Sequence, residues 1–302
     1  MKKKSIGKFG KFEKKKSNAA IKEQFKQEKR KWKKEREDFF EKKKAEARGQ
    51  KAETSPKHER EISNEQMPLN KFIAHCGVSS RRDAAEMVKL GKVKVNNEII
   101  TEPGHKVSAK DEIIVNGKKV FLSKNLFYIL LNKPKDYITT TDDPQKRKTV
   151  LDLIKVKERI YPVGRLDRNT SGVLLLTNDG ELSQKLTHPS HEIKKVYHVT
   201  LNRPLDKKDF DQILKGITLE DGPASVDALA YADVKDKTQL GVEIHSGRNR
   251  IVRRIFEHLK YDVKNLDRVI FAGLTKKNVE RGKWRFLTEK EVRDLKYFSK
   301  GK

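Results

Sequence analysis

An acidic residue between two arginines, at the end of a polar loop, is the most chemically informative feature of the sequence. Asp167 lies between Arg165 and Arg168, in a segment rich in Gly, Asp, Asn, Thr and Ser that leads into the apolar run Gly172–Thr177. The carboxylate is therefore held beside guanidinium charge just before a predicted strand. Such a group can act as a nucleophile or a base. The alternative is an Asp that only forms the turn.

A second segment carries four arginines within seven residues, namely Arg248, Arg250, Arg253 and Arg254. Its apolar residues are spaced as on one face of a helix and are Ile251, Val252, Ile255 and Phe256. A helix with this buried face does not need so many cations. The arginines are therefore either the solvated face of a cationic helix, or phosphate clamps with one guanidinium turned inward toward a carboxylate.

The composition predicts a polyanionic partner. The chain has 302 residues, of which 70 are Lys or Arg and 43 are Asp or Glu, for a formal net charge of +27. Its single cysteine, Cys76, excludes a disulfide framework or a cysteine-ligated zinc site within the chain. No apolar run is long enough to span a membrane, and no secretory core follows the first Met-Lys-Lys-Lys. We therefore expect a cytoplasmic protein that binds nucleic acid rather than a membrane.

Charge and apolar content divide the chain into three parts. Residues 1–66 carry 23 basic and 12 acidic side chains and few apolar ones, which predicts a disordered Lys-rich extension. The alternative for this extension is an arm that folds along RNA. Residues 67–122 have the pattern of two short helices followed by a small sheet. The cations of this small domain cluster where the second helix meets the first strand, at Arg81, Arg82, Lys89, Lys92 and Lys94.

Residues 126–296 predict a larger α+β domain. Strands are expected at Phe127–Leu131, Gly172–Thr177, Lys195–Leu201, Ser225–Asp233, Gln239–His245 and Leu266–Phe271. Helices are expected at Glu181–Thr187, Leu205–Leu214 and Asn249–Leu259. Strands outnumber helices and do not alternate strictly with them. The pattern therefore favours a mixed or antiparallel sheet over a doubly wound parallel one.

A nine-residue run around Asp167 carries a resemblance to a known family. The run is Gly164-Arg165-Leu166-Asp167-Arg168-Asn169-Thr170-Ser171-Gly172. It matches, without a gap, the G-R-L-D-x-x-[ST]-[ST]-G motif of the pseudouridine synthases that act on ribosomal RNA, specifically the RsuA/RluB-type family. Lys195-Val196-Tyr197 is similar to the second motif of this family, and Gly247–Arg254 to the third. The segment from Leu69 to Arg82 is similar to the alpha-L RNA-binding motif that precedes the family's catalytic domain.

The resemblance implies roles for individual residues. Asp167 would be the catalytic aspartate, Tyr197 the aromatic side chain that stacks on the target base, and Arg253 the partner of Asp167. Leu274 would be the apolar residue that packs on the far side of the base. The cations expected to bind RNA are Arg81, Arg82, Lys89, Lys92, Arg165, Arg168, Arg248, Arg250 and Arg254.

The reaction implied by the resemblance explains why these residue types suffice. Conversion of uridine to pseudouridine needs no redox change, group donor or metal, and the sequence has no phosphate loop, dinucleotide fingerprint or H-E-x-x-H motif. The close pair His188 and His191 has no obvious third ligand, so we expect neither a cofactor nor a metal. An enclosed Asp167 must stay ionised, which an inward Arg253 would favour. Three roles are then open to the carboxylate: attack on the sugar carbon, addition to the base, or promotion of the loss of a ribose proton.

The expected partner is ribosomal RNA or a pre-ribosomal particle, and the expected oligomeric state is a monomer. A large-subunit target is favoured over a small-subunit one. A non-catalytic, ribosome-associated RNA-binding protein on the same scaffold is the alternative, but it would have little reason to keep Asp167, Tyr197 and Arg253 together. A basic DNA-binding protein would have a helix-turn-helix or zipper pattern, which the sequence lacks.

Overall fold

The computed structural model describes residues 66–122 and 125–298. The extension predicted to be disordered, residues 1–66, lies outside the described residues except for Gln66. Within the described ranges, no helix combines the length and the apolar character that crossing a bilayer requires.

Two short helices and a small sheet form the N-terminal part of the described chain. The helices are α1 (Leu69–His75) and α2 (Arg81–Lys89). Ser80 caps α2, because its hydroxyl accepts a hydrogen bond from the Asp83 backbone and Asp83 accepts one in return, both at 3.2 Å. The strands are β1 (Met67–Pro68), β2 (Val93–Val95), β3 (Glu98–Ile99), β4 (Lys106–Val107), β5 (Ile113–Val115) and β6 (Lys118–Val120). Strands β3, β2, β5 and β6 form an antiparallel sheet in that order, and β1 pairs with β4.

A nine-stranded sheet is the centre of the larger part. Its strands are β7 (Tyr128–Lys133), β8 (Tyr161–Pro162), β9 (Ser171–Thr177), β10 (Lys195–Leu201), β13 (Ala228–Tyr231), β14 (Gln239–Ile244), β15 (Val263–Phe271), β16 (Leu274–Thr275) and β17 (Trp284–Phe286). Their order is β13-β14-β10-β15-β9-β7-β17, with β16 beside β15 and β8 beside β9. The pair β9–β15 is parallel and the other pairs are antiparallel. The predicted α+β class with a mixed sheet is confirmed.

Four helices cover the two faces of this sheet. They are α3 (Gly180–Thr187), α4 (Lys207–Lys215), α5 (Ile251–His258) and α6 (Glu289–Phe298). Successive residues of β7 and β9 are buried on opposite faces, because side chains alternate along a strand. One apolar layer contains Leu182 and Leu186 of α3 with Leu295 of α6, and the other contains Ile213 of α4 with Ile255 of α5.

The predicted elements are found with shifted ends, for local reasons. The helix predicted at Asn249–Leu259 begins only at Ile251, because Arg250 has a left-handed backbone (φ 48°). The strand predicted at Ser225–Asp233 is confined to Ala228–Tyr231. Helix α6 and strand β17 were not predicted, and neither was the hairpin of β11 (Ile217–Leu219) and β12 (Gly222–Ala224).

Candidate active site

A cavity of about 640 Å³ opens where the Asp167 loop enters β9, where β10 begins and where β15 ends. Asp167, Tyr197, Arg250 and Arg268 all lie in its wall. These residues are far apart in the sequence. They meet because β9 and β15 run parallel, with Gly172 opposite Arg268, while β10 lies antiparallel on the other side of β15. The cavity therefore collects residues from the three sequence segments that were singled out above, together with β15.

A buried lysine holds the loop that carries Asp167. The Lys133 ammonium donates to the backbone carbonyls of Asp167 at 3.1 Å, Arg168 at 3.2 Å and Thr170 at 2.8 Å. Its side chain is completely buried at the end of β7, and this burial lowers the pKa of Lys133 to about 8, while Asp167 opposes the shift. Sequence reasoning missed Lys133. The available signal was a lysine, followed by a proline, at the end of an otherwise apolar strand.

Close contact between two parallel strands explains a glycine of the motif. Gly172 has φ 111°, and a Cβ atom there would lie only 2.6 Å from the backbone nitrogen of Arg268. Any side chain at this position would push β9 away from β15. Gly172 therefore allows the Asp167 loop and Arg268 to share one cavity.

The carboxylate of Asp167 forms an ion pair with a different arginine from the predicted one. Arg250 Nη1 lies 3.9 Å from Asp167 Oδ2, and the Asp167 side chain is 37% exposed. Arg253 turns inward, with 8% exposure, but it donates to the carbonyls of Val263 at 2.9 Å and Asn169 at 3.3 Å. No ion pair joins Arg253 to Asp167 in the described part of the chain. The arginine in direct ion-pair contact is thus Arg250, which has a left-handed backbone. Asp167 still raises the pKa of Arg253 by charge attraction, against the larger effect of burial, and a catalytic role of Arg253 beside Asp167 stays a prediction.

Tyr197 forms part of the cavity wall as predicted, but Leu274 does not. Tyr197 is 8% exposed on β10, next to a β-bulge at Val196 and Tyr197. Leu274 and its partner across the β15–β16 turn, Phe271, are buried in the same apolar layer, and of the two only Phe271 lines the cavity. The turn between them has positive φ at both central residues, which keeps the two strands closely paired. Contact between Leu274 and the target base stays a prediction.

Two of the arginines expected to bind RNA are already held by one carboxylate. Asp221, in the turn of the β11–β12 hairpin, accepts two hydrogen bonds from the Arg248 guanidinium and two from that of Arg254. Arg168 pairs with Asp136 at 3.2 Å. Arg165 is exposed at the cavity rim and makes no ion pair within the described residues. Sequence reasoning missed Asp221, because nothing local links it to the arginines.

The predicted RNA-binding cations of the small domain lie on α2 and just before β2. Arg81, Arg82, Lys89 and Lys92 are all exposed, and none of them makes an ion pair in residues 66–122 and 125–298. They do not line the cavity. A salt bridge of 3.1 Å between Lys71 and Glu181 joins α1 to α3.

These features define a class of protein. An accessible carboxylate, an aromatic wall and arginines surround a cavity large enough for a nucleotide base, and a separate domain presents free cations for a polyanion. The fold and the site are those of an enzyme that modifies bases in RNA.

Comparison with known proteins identifies the family. Residues 127–258 match the RNA pseudouridylate synthase family and residues 67–113 match the S4 domain. The chain is 44% identical to "Ribosomal large subunit pseudouridine synthase B" of Bacillus subtilis over 76% of this chain and 95% of the relative. It is 32% identical to "Dual-specificity RNA pseudouridine synthase RluF" of Escherichia coli, over 75% of this chain and 77% of that relative. A crystal structure of a pseudouridylate synthase has a TM-score of 0.56 and 29% identity, and covers 76% of this chain and 99% of its own.

The chain belongs to the RNA pseudouridylate synthase family, with an N-terminal S4 domain. It is a pseudouridine synthase, an enzyme that isomerises uridine to pseudouridine in RNA.

Proposed function

We propose that this enzyme acts on one or more uridines of large-subunit ribosomal RNA, with Asp167 as its catalytic carboxylate. The observation that carries the proposal is that Asp167 and Tyr197, which lie on different strands and loops, face one cavity. The name of the Bacillus subtilis relative, 44% identical over nearly its whole length, supports the large subunit. From this target we infer that the substrate is a pre-ribosomal particle in the cytoplasm.

The reaction suits the groups that surround the cavity. The target nucleotide leaves its stack, at a cost of a few kcal/mol, and its base packs on the Tyr197 ring. Asp167 promotes cleavage of the bond between N1 of uracil and C1′ of ribose, and Arg250 keeps a positive charge 3.9 Å from that carboxylate. The base rotates and C5 bonds to C1′. The C5 proton leaves and N1 gains a proton, so that the product is an isomer of the substrate.

Enclosure of the carboxylate follows RNA binding. The Asp167 side chain is 37% exposed, and the Arg250 side chain is 45% exposed. A nucleotide in the cavity would displace water from both, which strengthens their attraction. The free cations of the S4 domain would hold the surrounding RNA, since they have no protein partner to displace within the described residues.

Mapping of pseudouridine across ribosomal RNA tests this proposal. Cells that lack the gene should lose the modification at a large-subunit position, and the intact gene should restore it. The gene carrying Asp167→Asn should not restore it, although the protein should accumulate normally. Loss at a small-subunit position only would contradict the proposed target, and restoration by Asp167→Asn would contradict the proposed carboxylate.

A further inference from the structure

The cavity wall contains a buried arginine in addition to the groups that act on the base. Arg268, on β15, is 3% exposed yet lines the cavity beside Tyr197. Its Nε donates to the Val173 carbonyl at 2.8 Å, and its guanidinium carbon lies 4.5 Å from the centre of the Phe271 ring. Its Nη2 is buried and has no hydrogen-bond partner. No carboxylate lies within 4.0 Å of it among the residues that the structure describes.

Such an arginine is costly to keep. Burial lowers the pKa of Arg268, and the neighbouring Tyr197 opposes this shift. Arginine nevertheless stays protonated in proteins, so the site encloses a positive charge without a counter-charge. A buried donor without a partner costs free energy that an apolar side chain would not. The missing partner is therefore expected to arrive with a ligand.

The strand register directs Arg268 toward the place where the base would lie. The β-bulge at Val196 and Tyr197 brings Tyr197 opposite Arg268 on the neighbouring strand. The Val173 carbonyl and the Phe271 ring fix the guanidinium from other sides. Another cation of the wall, the half-buried Lys195, already has acceptors, since its ammonium donates to the His245 and Ser246 carbonyls. Arg268 is thus the buried cation of the described wall that has a donor to spare next to Tyr197.

We propose that Arg268 contacts the substrate directly, and that an oxygen of the flipped target nucleotide completes the hydrogen bonding of its Nη2. This inference rests on the proposed function. When the bond between N1 and C1′ breaks, its electron pair stays on uracil, and the negative charge is shared between N1, O2 and O4. A guanidinium donor stabilises this charge until C5 bonds to C1′, C5 loses its proton and N1 is protonated. The acceptor is O4 of the uracil or an oxygen of the 5′ phosphate of the same nucleotide, both of which carry negative charge at this stage.

Substitution of Arg268 gives the first test. Arg268→Met removes the charge and the donors, and Arg268→Lys keeps the charge but not the Nη2 donor. Both should lower the single-turnover rate at saturating RNA by about 10- to 100-fold, the range for loss of a charged hydrogen bond. The control is Arg285→Met, which removes an arginine that pairs with Glu291 outside the cavity. It should leave the rate unchanged. Thermal unfolding identifies any variant that fails to fold, and Arg268→Lys then carries the test.

Modified substrates distinguish the two possible acceptors. One RNA has 4-thiouridine at the target, which weakens a carbonyl acceptor, and another has a neutral methylphosphonate 5′ to the target. Binding is measured in proteins that all carry Asp167→Asn, so that turnover does not interfere. Suppose that one modification weakens RNA binding when Arg268 is present, and that this loss of affinity is at least threefold smaller with Arg268→Met. The oxygen altered by that modification is then the acceptor.

Two results would overturn the inference. One is that each modified RNA weakens binding by the same factor with Arg268→Met as with Arg268, so that the substitution and both modifications act additively. The other is a folded Arg268→Lys variant with the wild-type rate. Neither result affects the proposed function, because wild-type turnover and its loss in Asp167→Asn are measured separately.

Discussion

Three positively charged side chains determine the shape and the electrostatics of the Asp167 loop. Lys133 donates hydrogen bonds to backbone carbonyls of the loop, and Arg253 donates one to the carbonyl of Asn169. Arg250 places a positive charge beside the Asp167 carboxylate. Only Arg250 is substantially exposed. The two buried cations, Lys133 and Arg253, therefore preserve the backbone shape of the loop, whereas Arg250 stabilises the negative charge of Asp167.

Arg250→Ala and Arg253→Leu should separate these two contributions. Arg250→Ala should lower the turnover rate with a change in stability within about 0.5 kcal/mol, because exposed ion pairs contribute little to folding. Arg253→Leu should lower turnover and also destabilise the protein by about 1–3 kcal/mol, because the buried carbonyl of Val263 and the partly buried carbonyl of Asn169 lose their donor. Rates and urea unfolding of both variants check this. Wild-type turnover in Arg250→Ala would show that its ion pair does not support Asp167.

The burial of Lys133 predicts a pH dependence of stability. Its pKa falls from 10.5 to about 8 in the folded protein, so between these values the unfolded chain binds more protons. The contribution of Lys133 to stability therefore rises with pH across this window, by at most about 1.4 kcal/mol per pH unit. The unfolding free energy of the wild type minus that of Lys133→Met should be flat below pH 8 and rise between pH 8 and 10. A difference that stays flat up to pH 10 would contradict the assigned burial.

Regular elements with a strong local pattern were predicted well from sequence. The apolar run of β9 and the alternation of β10 gave both strands nearly to the residue. The β11–β12 hairpin was missed, because three-residue strands leave little periodicity. The hydrogen bonds from Arg248 and Arg254 to Asp221, in the turn of this hairpin, were missed with it. The contact between Arg250 and Asp167 was missed for another reason. A left-handed residue before a helix is set by the loop that it closes, which local composition does not encode.

The Asp221 contacts predict unequal contributions of the arginines to RNA binding. Arg254 is bound by a carboxylate, whereas Arg165, which lines the cavity, makes no ion pair within the described residues. Arg165→Ala should reduce the slope of log affinity against log salt by roughly 0.7, the value for one contact to single-stranded nucleic acid. Arg254→Ala should reduce it by much less. Salt titrations of both variants on one RNA measure this, and equal reductions would show that RNA displaces Asp221.

At the scale of the whole molecule, the cations are spread over parts with different roles. The S4 domain presents free cations away from the cavity, the catalytic domain holds most of its arginines in pairs, and residues 1–66 add a further net positive charge. Attraction to RNA is thus separate from the geometry of the reaction. The parts outside the catalytic domain should govern affinity and its salt dependence.

Deletion of residues 1–66 should leave catalysis intact and weaken RNA association. The segment contains 23 of the 70 basic residues, so its loss should flatten the salt dependence of binding. The effect should be larger on a pre-ribosomal particle than on a short hairpin, because the particle offers more phosphates. Affinity and turnover of both proteins over a salt series provide the measurement. Equal slopes would mean that the extension does not contact RNA.

Release of the C5 hydrogen tests the role of Asp167 most directly. Pseudouridine formation replaces the bond from C5 to hydrogen by a bond to C1′, so RNA labelled with tritium at C5 of uridine must lose its label. The wild-type enzyme should release the label of the target uridine from large-subunit RNA. Asp167→Asn should bind the same RNA with nearly the same affinity, because one charge among many is lost, and should release none above background. Tritium release by a folded Asp167→Asn variant at more than about 1% of the wild-type rate, which corresponds to less than about 3 kcal/mol of lost transition-state stabilisation, would show that another group performs the reaction.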